Sequence, residues 1–341
     1  MKGRIIATGG AGYIGSHVVA ELLGAGYQVV ILDNFENAPR DIAERISGLG
    51  LPAPEVVEAD CRDAAALDAV FAAAPVDAVV HFAGKKSVNE SVAEPLLYYE
   101  WNVTGALRVL EAMQRHGVGR LVFSSSATVY GTTEDTPIPE TAPVRPQSPY
   151  GQTKRMIEQV IDDLTRARPG FAAVSLRYFN PVGAYPGGRL GEMPSGEPAN
   201  LFPYVTQTIV GLRPQVRVFG SDYDTPDGTG VRDYVHVCDL ARGHLCALGR
   251  LFDADAAGQH RIVNLGTGRG YSVLEVISAF GRACGHEVPH ALQPRRPGDV
   301  ARSVADPGLA AALLDWRARF DLDAMCRDHL EAERRNREVQ P

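Results

Sequence analysis

The chain has 341 residues, 45% hydrophobic and 22% charged, with a formal net charge of −7. That size suits one large domain or two smaller ones, and the acidic balance argues against nucleic acid or an anionic membrane as the main partner. No apolar run reaches the roughly 18 residues of a membrane span. The N-terminal residues carry no leader-like apolar segment. Five cysteines (Cys61, Cys238, Cys246, Cys284 and Cys326) lie scattered without CxxC pairing, so neither disulfides nor a metal site is expected. The expected location is cytoplasmic.

In chain order, Arg4–Thr8, Gln28–Leu32, Val56–Ala59, Asp77–Phe82, Arg120–Ser125 and Ala172–Arg177 read as strands, because their apolar residues run on without alternation. Between them Tyr13–Ala25, Ala64–Ala73, Val92–His116 and Pro149–Arg168 carry helical patterns. Such alternation predicts an α/β fold with a doubly wound parallel sheet of Rossmann type. The expected division is a Rossmann domain over 1–179 and a smaller α/β domain over 180–341. The change of texture at Asn180–Asn200 and Gly220–Gly230, rich in Gly, Pro, Asp and Ser, marks the second. Segments near 234–265 are expected to return to the first domain. The helices Val92–His116 and Pro149–Arg168 carry apolar stripes wider than one sheet face needs, which fits burial within one subunit.

Three local patterns carry chemistry. Gly9, Gly12 and Gly15 stand between the first strand and the first helix, in a G-x-x-G-x-x-G spacing. A turn of this kind lets backbone approach a pyrophosphate and aims the helix N-terminus at it; a tight turn without a ligand is the alternative. Asp33 ends the second strand about 20 residues past the glycines, where a carboxylate can accept from an adenosine ribose. An acid there repels a 2′-phosphate, which favours NAD over NADP; a plain turn residue is the other reading.

Tyr150 and Lys154 are four apart at the start of a helix after Pro149, hence on one face. A tyrosine is a poor base at neutral pH, with a pKa of about 10, and a neighbouring ammonium, with a nicotinamide ring cation close by, is expected to lower it. Only four lysines (Lys2, Lys85, Lys86, Lys154) occur among 34 Lys and Arg residues, so a lysine at 154 suggests that a compact ammonium is wanted. An exposed tyrosine beside a solvated lysine is the bland alternative. Ser126, at the C-terminal end of the strand from Arg120, is placed to hydrogen-bond a substrate hydroxyl, although serines there are often only turn residues.

Thr8-Gly-Gly-Ala-Gly-Tyr-Ile-Gly15, Ser124–Gly131, Ser148-Pro-Tyr-Gly-Gln-Thr-Lys154, Arg177-Tyr-Phe-Asn-Pro-Val-Gly-Ala184 and Asp227–His236 closely resemble the UDP-glucose (UDP-galactose) 4-epimerases of the extended short-chain dehydrogenase/reductase family. The likeness runs from about residue 4 to residue 330. It implies an isomerase with tightly held NAD, Tyr150 as base, Lys154 and Ser126 beside it, and a homodimer. It also implies cofactor contacts from Tyr13, Ile14, Asn34, Asp60, Cys61, Phe82, Ala83, Gly84, Lys86, Asn102 and Tyr178. The UDP-sugar falls to Asn180, Asn200, Leu201, Arg232, Arg296 and Asp299, two arginines suiting a diphosphate.

Departures from the family pattern sharpen the reading. Nucleotide-sugar dehydratases carry an Asp-Glu pair where this chain has Ala127-Thr128, so dehydration is not expected. Galactose-restricted epimerases tend to have a tyrosine at the position of Ser303. The smaller side chain predicts room for a 2-N-acetyl group, hence activity on UDP-GlcNAc/UDP-GalNAc, unless a neighbour such as Arg302 fills the gap. Trp101 and Lys85 stand where the family often has an asparagine and an apolar residue. A 4-epimerase of another UDP-sugar (uronate or pentose) and a non-catalytic NAD or UDP-sugar sensor are the alternatives.

Overall fold

Strand β1 (Arg4–Thr8) is buried along its whole length, and its side chains divide between two cores: Ile5 and Ala7 pack into one, Ile6 into the other. The same division recurs in β2 (Gln28–Asp33), with Val29 and Ile31 on one face and Val30 and Leu32 on the other. Continuous apolar runs therefore reflect a sheet covered on both sides. Truncating one such residue to alanine costs about 2–5 kcal/mol. The computed structural model describes residues 2–133, 136–193, 198, 200–296 and 298–339.

The remaining strands among these residues are β3 (Glu55–Glu58), β4 (Ala78–His81), β5 (Arg120–Ser126), β6 (Ala172–Tyr178), β7 (Asn180–Val182), β8 (Val216–Phe219), β9 (Val231–His236), β10 (His260–Leu265), β11 (Gly270–Ser272), β12 (His290–Gln293) and β13 (Arg302–Ser303). Seven of them form one parallel sheet in the order β10-β6-β5-β4-β1-β2-β3. The chain leaves β1 towards β2 and β3, then crosses to β4, so the order reverses between β1 and β4. Ligands of open α/β sheets bind outside the strand ends at such a reversal.

Helices α1 (Tyr13–Gly24), α2 (Ile42–Ser47), α3 (Ala64–Ala73), α4 (Val88–Ala93), α5 (Pro95–Tyr98), α6 (Gly105–Arg115), α7 (Pro149–Ala167), α8 (Leu201–Ile209), α9 (Val237–Arg250), α10 (Val273–Cys284), α11 (Gly308–Leu314) and α12 (Leu322–Val339) complete the layers. Side chains of α1, α2, α9 and α11 cover one face of the large sheet, those of α3, α6 and α7 the other. A third apolar cluster joins α8, α10 and α12 to the smaller sheets, in which β9 pairs with β7, β11 and β13, and β8 with β12. Of the segment near 234–265, α9 and β10 join the large sheet, whereas Tyr234–His236 stays in the smaller one.

The single helix expected over Val92–His116 is corrected. Glu94 departs from helical geometry (φ −126, ψ 62) ahead of Pro95, as a residue before proline tends to. A π-helical turn at Tyr99–Thr104 then separates α5 from α6. Among the described residues no helix is long and apolar enough to cross a membrane.

Candidate active site

The glycine turn lies at the β1/β4 reversal. The Phe82 and Ala83 amides both donate to the Thr8 carbonyl, at 2.8 and 3.0 Å. Gly9 has φ +69, and a Cβ there would stand 2.6 Å from the Ala83 nitrogen; one on Gly15 would stand 2.3 Å from the Gly9 carbonyl oxygen. These two glycines are thus demanded by backbone crowding at the turn. Gly12 caps α1 without a side-chain acceptor, and no acid occupies the first turn. The first helical amides, at Tyr13 and Ile14, are left to an external oxygen. The Tyr13 phenol donates to the Gly183 carbonyl at 2.7 Å, tying this helix to the segment after β7.

Asp33 accepts from the Ala11 amide on Oδ2 and from the Phe35 amide on Oδ1, both at 3.0 Å. It therefore braces the glycine turn, and its remaining lone pairs stay available to ribose hydroxyls. Burial raises its pKa, opposed by these backbone donors. Asn34 donates to Asp60 at 3.2 Å. The Arg62 guanidinium beside Asp60 holds that carboxyl down at about 2. Next to it Cys61 is buried, its thiol pushed up to about 12 chiefly by burial.

Gly84 (φ +149) has no room for a Cβ, which would lie 2.8 Å from Asn102 Oδ1. Asn102 is buried, and its amide grips the Lys85 peptide from both ends, accepting from the nitrogen at 2.8 Å and donating to the oxygen at 3.0 Å. It also donates to Thr153 of α7 at 3.1 Å. Its amide is thus engaged in holding the Gly84–Lys85 turn. Lys86 Nζ reaches Glu192 Oε1 at 2.9 Å, and Asn200 Nδ2 donates to the same oxygen at 3.2 Å.

The reactive groups stand at the C-terminal end of β5 and the first turns of α7, which Ser148 caps by accepting from the Gly151 amide. Lys154 is buried; its ammonium donates to the Ser124 carbonyl at 2.8 Å and lies 5.8 Å from the centre of the Tyr150 ring. Burial brings Lys154 down to about 8, against the opposing pull of the Glu158 carboxylate. Ser126 Oγ accepts from the Thr128 amide and hydroxyl, at 3.2 and 3.0 Å. Tyr178 hydrogen-bonds the Ser124 hydroxyl.

The lowering of Tyr150 expected from Lys154 together with a nicotinamide cation is not produced by the chain alone. Burial raises the phenol, and hydrogen bonding with Ser126 is the one opposing influence. The lysine ammonium donates to the Ser124 carbonyl and lies nearer the face of Phe123, at 5.0 Å, than that of Tyr150.

In the smaller sheets and the helices beside them, Asn180 opens β7 in register with Tyr234, and Asn200 precedes α8 with Leu201 as its first residue. Ser303 pairs with Arg232 between β13 and β9. The Arg232 guanidinium folds back to the Val231 carbonyl at 2.9 Å. Arg296 pairs with Asp299 at 3.1 Å and lies 4.6 Å from the centre of the Phe219 ring.

Among the partners not singled out from sequence are Arg62, Glu192, Phe219 and Glu158. Glu158 stands eight residues past Tyr150, so the helical spacing that links Tyr150 to Lys154 would have found it.

The family described as NAD dependent epimerase/dehydratase matches residues 5–266. A UDP-glucose 4-epimerase of Bacillus subtilis (strain 168) is 51% identical over 324 residues, covering 95% of both chains. A Stenotrophomonas maltophila UDP-glucose 4-epimerase, solved with NAD and formylated UDP-arabinopyranose, superposes with a TM-score of 0.96 at 47% identity over 99% of both chains. One from Bifidobacterium longum, solved with NAD+ and UDP, gives 0.93 at 46% identity over 98% of this chain and 99% of that one. The chain belongs to the NAD dependent epimerase/dehydratase family, among its UDP-glucose 4-epimerases.

Proposed function

We propose that the protein interconverts UDP-galactose and UDP-glucose at C4 with a resident NAD. The observation that carries this reading is the arrangement of Tyr150, Lys154 and Ser126 at the strand ends, beside an uncapped helix N-terminus and a ribose-ready carboxylate. The uncapped first turn of α1 fits a pyrophosphate and Asp33 fits an unphosphorylated ribose, so the residues present suit NAD. Domains spanning 1–179 and 180–341 would hold cofactor and UDP-sugar respectively, with α9 and β10 returned to the first.

Bound NAD supplies reversible hydride acceptance from C4 and a positive ring whose charge lowers the Tyr150 phenol. Tyr150 would take the 4-hydroxyl proton at its phenolate oxygen as hydride leaves C4, the two losses together giving the 4-keto sugar, and would give the proton back to the 4-oxygen as hydride returns to C4. Lys154 holds positive charge behind the phenolate, and Ser126 orients the sugar oxygen. Arg232 and Arg296 grip the diphosphate while the keto sugar turns. Redox balance is zero over the cycle, so cofactor release is not required.

Ser303 supports a wider range that takes in UDP-GlcNAc and UDP-GalNAc. Successive residues of a strand face opposite ways. Arg302 reaches the Asp224 carbonyl at 3.4 Å, so it does not fill the space beside Ser303. A homodimer is supported by apolar residues on α4, α5 and α7, with Val92 62%, Leu96 81% and Met156 37% exposed. Incubation of the purified protein with UDP-galactose, with no NAD added, tests the reading. Appearance of the UDP-glucose anomeric signal is expected, and its absence from NAD-containing protein would discard the epimerase in favour of another UDP-sugar or a sensor.

A further inference from the structure

Two cations lie against the Trp101 indole. The Arg62 guanidinium lies 3.9 Å from the centre of the ring and the Lys85 ammonium 4.7 Å from it. Lys85 in turn pairs with Glu36 at 2.9 Å, its own side chain only 10% exposed. Arg62 grips Asp60 through two nitrogens, Asp60 accepts from Asn34, and Asn34 Oδ1 accepts from the Glu36 amide at 3.2 Å. The contacts close on themselves: Glu36, Lys85, Trp101, Arg62, Asp60, Asn34 and back to Glu36. They join the loops after β2, β3 and β4 to the π-helical turn.

Asp33, which ends β2, and Asn34, Asp60 and Cys61, which lie on the loops that this belt ties together, are the residues placed at the adenosine half of the cofactor. We propose that Trp101, clamped by Arg62 and Lys85, latches the belt across the adenosine half of NAD and slows its escape; this rests on the cofactor reading above. Each joint has a physical basis. An indole is the ring face that attracts cations best. The lysine stem is buried while its ammonium serves both ring and carboxylate. Glu36 is 41% exposed, so the Glu36–Lys85 pair is the joint that water and salt open most readily. Neither Lys85 nor Trp101 takes part in the proton or hydride path, so retention and turnover separate.

The test uses the full-length protein loaded with NADH, whose fluorescence is followed after a chase with excess NAD+. Lys85→Leu and Trp101→Leu are each expected to release NADH about tenfold faster, since a cation–π contact is lost in both. Lys85→Arg keeps charge and stacking and is expected to stay within about twofold of the parent. Added salt is expected to speed release from the parent but not from Lys85→Leu. Parent-like release from Lys85→Leu and Trp101→Leu, in a parent that retains the dinucleotide, would overturn the latch. A parent that binds no dinucleotide would overturn the cofactor reading itself.

Discussion

Glu158 and Arg177 form a buried ion pair, with two hydrogen bonds of 2.9 and 2.6 Å and side chains only 6% and 4% exposed. Ser125 adds a third donor to Glu158 at 2.6 Å, and Arg177 lies 4.9 Å from the centre of the Tyr130 ring. Glu158 stands one helical turn beyond Lys154, on the face that carries Tyr150. Removing one partner strands the other's charge. Arg177→Met is expected to destabilise the fold by about 3–5 kcal/mol in urea unfolding, and adding Glu158→Leu to recover most of that.

The same carboxylate opposes the burial that brings Lys154 down to about 8. Glu158→Gln removes a negative charge near the ammonium, so Lys154 gives up its proton at lower pH. The alkaline limb of the kcat–pH profile is expected to move down in this variant. An unmoved limb would mean that Lys154 does not set it.

Tyr150→Phe keeps the ring against Tyr98, at 6.5 Å between centroids, and removes only the hydroxyl. Turnover is expected to fall by about 10²–10⁴-fold while NAD content is retained. Activity within tenfold of the parent would move the proton to another group.

Ser303→Tyr is expected to lower kcat/KM for UDP-GalNAc by about tenfold or more, through steric exclusion, and to spare UDP-galactose. Competing the two substrates against one enzyme sample gives the ratio directly. An unchanged ratio would discard the gate.

Burial lowers His17, His244 and His260 to about 4 and His81 to about 3, and lowers His329 in the same direction. Above about pH 6.5 these groups are neutral in folded and unfolded chains alike. As pH falls from there towards 4 the unfolded chain binds protons that the folded chain refuses, so stability is lost through that window. The raised carboxyls of Asp33 and Asp233 act the other way and soften the fall at its acid end. Melting followed by circular dichroism is expected to show a declining midpoint, with a shallower slope in His244→Phe. A midpoint that stays level below pH 6.5 would contradict this.

What the sequence made legible is what it carries locally. The apolar runs of β1, β2, β5 and β6 mark a sheet covered on both faces, and the structure extends three of these strands by only one residue. The glycine turn and the Tyr150–Lys154 pair are readable because each lies within one turn or one helix face. Val92–His116 misleads because its apolar stripe continues through Pro95 and the π-helical turn, which change geometry without interrupting hydrophobicity. The belt through Glu36, Lys85, Trp101 and Arg62 was invisible for another reason: its members come from four separate segments, and only the fold brings them together. The behaviour of Tyr150 also required the structure, since burial and the direction of the Lys154 ammonium decide it.

The central claim is that hydride leaves C4 of the sugar and returns to the same carbon without mixing with water. UDP-galactose carrying deuterium at C4, converted in ordinary water and examined by NMR, tests it most directly. The account predicts that the UDP-glucose formed keeps its deuterium at C4. Replacement of that deuterium by solvent hydrogen would contradict it, because the C4 hydrogen would then travel as an exchangeable proton.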